Sequence, residues 1–197
     1  MHTMNSVSIP VRSWHNHGAL RSDRHSRVRP PLDRAGLERL ALHYAGRYAT
    51  TRAKLSAYLT RKVRERGWAE DDLPPFDALV QRFAELGYVN DQLFAFSRAE
   101  SLQRRGYGER RIDQALKAAG IADADAAPAK AASENRAWDA ALRFAERKRL
   151  GPFAAVPLDR PARQKAFAAM LRAGHQMDYV RRVLDAAPGE IPNPDNM

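Results

Sequence analysis

The sequence predicts an all-α protein: tandem repeats of three-helix, helix–turn–helix-like units in an elongated, curved array. Three observations carry this. Apolar residues return at i, i+3, i+4 and i+7 through nearly the whole body. No segment alternates with period two over a strand's length. Helix pairs recur with matching columns of apolar, arginine and small residues.

Residues 1–34 hold four of the six His, several Ser and Arg and the pair Pro30-Pro31, with no apolar period. They read as a basic, disordered arm. Leu37, Leu40, Ala41 and Tyr44 mark the first helix. Thr50 or Thr51 caps the next, which carries Leu55 and Leu59 and closes at Gly67. Asp72-Leu73-Pro74-Pro75 leads into the helix of Phe76, Leu79, Val80 and Phe83, with Pro near its first turn. Asn90-Asp91 caps a helix bearing Leu93 and Phe94 that Gly106 ends, and Ile112, Ala115, Leu116 and Ala119 mark its successor. Ser133 is expected to begin a long helix through Trp138, Ala141, Leu142 and Ala145 to about Leu150, stopped by Gly151-Pro152. Asp159-Arg160-Pro161 opens the helix of Phe167, Met170 and Leu171, which Gly174 stops; Val180, Val183 and Leu184 follow. Residues 188–197, with three Pro and one Gly, read as a frayed tail.

The repeat emerges when Leu55, Ile112 and Val180 are set in register. Ala45, Leu102 and Met170 then share a column, as do Arg47, Arg104 and Arg172, and Ala49, Gly106 and Gly174. A small residue in the last column permits a tight turn or positive φ. A three-helix unit of about 45 residues buries little apolar surface alone, so the units should lean on one another. The expected organisation is an arm (1–34), units at 35–88, 89–131 and 132–187, and a tail (188–197).

Composition narrows the function. The chain has 33 Lys+Arg against 23 Asp+Glu, a net charge of +10, and 44% hydrophobic residues. An isoelectric point near 10.4 points to nucleic acid or a nucleoprotein surface as partner. The absence of Cys excludes a disulfide scaffold, a thiolate zinc site and a cysteine nucleophile. No apolar run approaches the roughly 18 residues of a membrane span, and no secretory leader stands out, so a cytoplasmic protein is expected.

Catalytic and metal chemistry finds little footing. His15-Asn16-His17 lacks acidic or Cys partners, and Gly106-Tyr107-Gly108 lacks the third glycine and preceding strand of a nucleotide loop. Asp71-Asp72, before two prolines, reads as helix capping, and His43 as an ordinary histidine. Trp68 and Trp138 read as packing residues, while Tyr107 is open between packing and exposure. No catalytic, cofactor or metal site is expected. The contact candidates are instead Lys54, Arg61 and Arg64 on one helix flank, with Arg104, Arg105, Arg110 and Arg111 around the Gly106 turn. The Arg47, Arg104 and Arg172 column reads as capping the preceding helices, and Arg143, Arg147, Lys148 and Arg149 as a helix-end cluster.

The stretch Gly87-Tyr88-Val89-Asn90-Asp91-Gln92-Leu93-Phe94-Ala95 resembles the glycine–aromatic–aliphatic turn, acid and Phe-Ala of the RecX family. Arg105-Gly106-Tyr107-Gly108, Arg111-Ile112, Ala115-Leu116 and Gly120-Ile121 resemble its second unit. Ala41-Leu42, Arg47, Thr51, Lys54-Leu55, Leu59 and Lys62 are similar to its first; Lys165, Phe167, Leu171-Arg172, Gly174, Val180 and Leu184 to its third. The likeness spans roughly residues 35–187. The chain departs from it at His175, where Phe is usual, and at Asn90, where Asp is usual. The resemblance implies three three-helix units lying in the groove of the RecA–single-stranded-DNA filament, curbing its ATP hydrolysis, strand exchange and co-protease activity without cofactor or catalytic residue. The expected partners are that filament, single-stranded DNA and, secondarily, duplex DNA, with the chain a monomer. A helix–turn–helix transcription factor is the alternative, although no helix rich in both Arg and Asn/Gln stands out.

Overall fold

The computed structural model describes residues 29–193; His15 and His17 and most of the basic arm lie outside them. Among the described residues there are nine α-helices, one 3-10 turn at Gly151–Phe153 and no strand beyond an isolated bridge between Leu32 and Trp68. The protein is all-α, a tandem array of three-helix units.

The first unit is α1 (Arg34–Arg47), α2 (Arg52–Arg66) and α3 (Phe76–Glu85); the second is α4 (Asp91–Arg104), α5 (Glu109–Ala118) and α6 (Asp123–Glu134). The third is α7 (Ala137–Lys148), α8 (Arg160–Arg172) and α9 (Met177–Asp185). Each has its own core. Leu37, Leu55, Leu59 and Phe83 centre the first, Leu102, Ile112 and Leu116 the second, and Met170, Val180 and Val183 the third. The repeated pairs are α1–α2, α4–α5 and α8–α9, as the columns require. The added helix follows the pair in the first two units and precedes it in the third.

The caps follow the side-chain chemistry. Asp33, Thr51, Asn90 and Asp159 accept from the amides of Gly36, Lys54, Leu93 and Ala162. Each oxygen thereby satisfies one amide that a helix start would otherwise leave unpaired.

Several expectations change. Ser133 does not start a helix: it lies in the last turn of α6, its hydroxyl donating to Ala129 O at 2.8 Å. The helix expected from Ser133 to about Leu150 is α7, Ala137–Lys148, with Ser133 and Glu134 ending α6 and Asn135-Arg136 between the two. Asp71-Asp72 do not cap α3, whose N-cap is Pro75; Asp72 pairs with Arg34. Residues 30–34 are not a disordered arm. Leu32 is buried and exchanges backbone hydrogen bonds with Gly67 and Ala69, because its side chain completes the first core. The tail, too, begins anchored, with Gly189 N donating to Pro152 O at 2.8 Å.

Candidate polyanion-binding trough

Two joints fix the units relative to one another. At the first, Thr51 Oγ1 donates to Ala119 O at 2.7 Å, and Arg52 donates to both oxygens of the buried Asp91 carboxylate (backbone N 2.9 Å, Nε 3.1 Å). Arg52 also pairs with Asp125. At the second, Gly108 N donates to Ala173 O at 2.9 Å and Arg110 N to Gly174 O at 3.2 Å. A Cβ on either Gly108 or Gly174 would run into the other unit's backbone, so this glycine-on-glycine approach needs the bare residues.

His175 closes the second joint. Its ring is buried, packs edge-on to Phe144 with centroids 5.4 Å apart, and Nε2 lies 3.1 Å from Gly106 O. The carbonyl can only accept, so Nε2 carries the proton. Burial pushes the imidazole down to about 4, with Arg147 adding to that and the Gly106 hydrogen bond opposing it. A neutral ring therefore fills this position. Tyr107 packs against both the second and third cores, with Arg105 and Arg147 over its ring, and Arg147 donates to Arg105 O. Trp68 donates to Asp72 O, and Trp138 sits edge-on to Tyr179, so both tryptophans serve packing.

Held in this way, the units share a surface trough. One hollow is lined by Lys54 of the first unit and by Phe94, Arg98, Arg111 and Gln114 of the second. It continues through Arg111 and Gln114 into another lined by Arg110, Leu171, Arg172 and Gly174, reaching the third unit. At the other end it runs through Ala49, Phe94 and Arg98 into a hollow walled by Tyr48, Tyr88 and Leu93. None of the three linings contains a carboxylate.

The cations there carry no ion pair: among the described residues, no carboxylate pairs with Lys54, Arg98, Arg110, Arg111 or Arg172, and Lys54 Nζ rests 4.6 Å from the Phe94 ring centre. By contrast Arg61 pairs with Glu65, Arg82 with Glu38, Arg104 with Glu100 and Lys117 with Asp113. Unneutralised charges sharing one groove reinforce each other's potential and attract a polyanion.

Of the residues singled out in the sequence, the structure brings Lys54, Arg110 and Arg111 into this trough. Arg61, Arg64, Arg104 and Arg105 lie off its lining. Arg47, Arg104 and Arg172 all fall in the last turns of their helices, where Arg47 stands over Tyr48, Arg104 pairs with Glu100 and Arg172 lines the trough. Arg98 and Arg172 are additions. Arg98 has no carboxylate three or four residues away on either side, and neither has Arg172, a signal readable in the sequence. No group of three or more His, Cys, Asp or Glu among the described residues could hold a metal ion. No helix among them is long and apolar enough to cross a membrane.

Fold and trough together define a helical-repeat protein with a cationic groove shared by its units. Residues 90–129 match the family model for the second three-helix domain of RecX. The regulatory protein RecX of Myxococcus xanthus (strain DK1622) is 37% identical over 163 residues, covering 77% of this chain and 86% of that one. The chain belongs to the RecX family. The fold is also that of the crystal structure of RecX from Lactobacillus salivarius (TM-score 0.62, 19% identity, 77% of this chain and 94% of that one). A second crystal structure of regulatory protein RecX aligns with TM-score 0.57 and 18% identity, over 77% of this chain and 71% of that one.

Proposed function

We propose that this protein is a non-enzymatic, cytoplasmic regulator that binds the RecA–single-stranded-DNA filament and restrains its ATPase, strand-exchange and co-protease activities. The observation that carries the reading is the carboxylate-free trough, to which all three units contribute cations. Lys54, Arg98, Arg110, Arg111 and Arg172 face the acidic filament surface or DNA phosphate, with Arg61, Arg64, Arg104 and Arg105 giving a weaker peripheral field. A row of joined units spreads contact over successive filament subunits, and several weak contacts held at high effective concentration bind strongly together. The protein works as a monomer, without cofactor or metal.

The test is RecA's ATP turnover on single-stranded DNA with increasing amounts of the protein. The reading expects turnover to fall at concentrations where the protein leaves duplex DNA unbound. Unchanged turnover, together with tight sequence-selective duplex binding, would replace it with that of a helix–turn–helix transcription factor.

A further inference from the structure

We propose that the hollow between the end of α1 and the link from α3 to α4 holds one unstacked base of a single-stranded nucleic acid whose phosphates lie along the trough. The inference rests on the trough's being the polyanion surface, and it assigns the DNA strand itself, rather than protein alone, to one end.

The hollow is an open one of about 450 Å³, inside the range of roughly 300–1,000 Å³ usual for ligand clefts. Its walls are flat rings held from behind. Tyr48 packs against Tyr44 with ring centres 5.5 Å apart, and Tyr88 against Phe83 at 5.3 Å. Each nevertheless stays about half open, at 51% and 50% exposure. Arg47 also stands 5.7 Å from the Tyr48 ring centre; a half-exposed ring backed by a second ring is a platform on which any base can stack, because every base has a π-face.

The floor of the hollow also holds one unpaired polar atom. Thr50 lines this hollow and is 5% exposed, yet its hydroxyl is the one buried side-chain polar atom without a hydrogen-bond partner among the described residues. Buried hydroxyls are nearly always paired, so an unpaired one asks what supplies its partner. The Thr50 oxygen has less than 1 Å² of accessible surface, so a base in the hollow reaches it only if the link carrying Thr50 shifts. Arg98 belongs to both this hollow and the adjoining one that holds Lys54. A strand leaving the hollow thus meets cations at once and no carboxylate. A duplex hides its base faces in the stack and offers the site nothing.

The test uses the full-length protein and two single strands of equal length and phosphate count, oligo-dT and an abasic deoxyribose-phosphate oligomer, with duplex DNA as a third probe. Oligo-dT is expected to bind more tightly than the abasic strand. Tyr48→Ala and Tyr88→Ala should each lower oligo-dT affinity roughly 5- to 150-fold. They should leave abasic binding and the salt dependence unchanged, while Tyr→Phe at either position keeps the wild-type preference. In the unaltered protein, 5-iodouracil-substituted strands should photocrosslink to peptides carrying Tyr48, Tyr88 or Phe94, which does not depend on how any variant folds. Equal affinity for oligo-dT and the abasic strand, or crosslinks mapping elsewhere, would overturn the base site while leaving the trough standing. Loss of filament binding by Tyr48→Ala with oligo-dT affinity unchanged would assign the hollow to a protein segment and also overturn it. If abasic binding itself is absent and RecA turnover is unaffected, it is the trough reading that fails.

Discussion

Replacing Gly106 with Ala probes the joint between the second and third units. Gly106 has φ of 70°, and a Cβ there would sit 2.8 Å from Phe144 N and 3.1 Å from its Cα. Holding a non-glycine residue in that conformation costs about 1–2 kcal/mol. The reduced freedom of the unfolded chain returns about 0.4–1 kcal/mol of this. The obstructing atoms are backbone and cannot turn aside, so the added contact costs a further 1–3 kcal/mol or about that. The net expectation is a loss of about 2–4 kcal/mol, with Gly106→Val worse. Gly87 supplies the control: its φ is 77°, but a Cβ there meets nothing within 4 Å. Gly87→Ala should lose only about 0.5–1 kcal/mol, the conformational part alone. Urea unfolding followed by helical circular dichroism at fixed pH measures both. Equal losses in the two variants would show that Gly106 serves only its turn and that the close approach to α7 contributes nothing.

Three further outcomes follow from the joints and the arm. His175 stays neutral in the folded protein down to about pH 4, whereas its unfolded counterpart takes up a proton below about 6.5, so stability should fall as pH drops through that window. The loss is up to about 3 kcal/mol, and urea midpoints across pH 7 to 4 should show it in the wild type but not in His175→Phe. Asp91→Ala strips the acceptor from Arg52 at the first joint and should cost about 2–3 kcal/mol; a loss under 0.5 kcal/mol or so would mean solvent replaces it freely. Removing residues 1–28 should leave melting nearly unchanged, while removing 1–34 exposes the site of Leu32 and breaks the Arg34 pairs with Glu70 and Asp72. Equal melting temperatures for the two truncations would refute that anchor.

The helices with large apolar residues were legible because burial of such side chains fixes the helical period. The segment α6 was not, because its core face is Ala126 and Ala129, too small to stand out from an Ala-rich run. Ser133 misled for a related reason: the same hydroxyl that caps a helix start can bond back to the carbonyl four residues earlier inside one. Leu32 looked like part of the arm because a single buried residue has no period. In the trough, Lys54, Arg110 and Arg111 could be read from helix flank and turn, but Lys54 and Arg172 meet the cations of the second unit only through the two joints, whose contacts join residues far apart in sequence. His175 was visible as a departure from its family; that it stays neutral follows only from the Phe144 and Gly106 contacts.

The central claim is that the trough, not overall basicity, grips the filament. The direct measurement is affinity for the RecA–single-stranded-DNA filament across a salt series, for two triple variants carrying the same change in net charge. One reverses Lys54, Arg98 and Arg111 to Glu; the other reverses Arg61, Arg64 and Arg104. The trough variant is expected to lose most of its affinity and to flatten the salt dependence by a slope of about 0.7 for each strand contact removed, while the other stays within a few-fold of wild type. Equal losses in both variants would show that net charge alone draws the protein to the filament and that the trough has no special part.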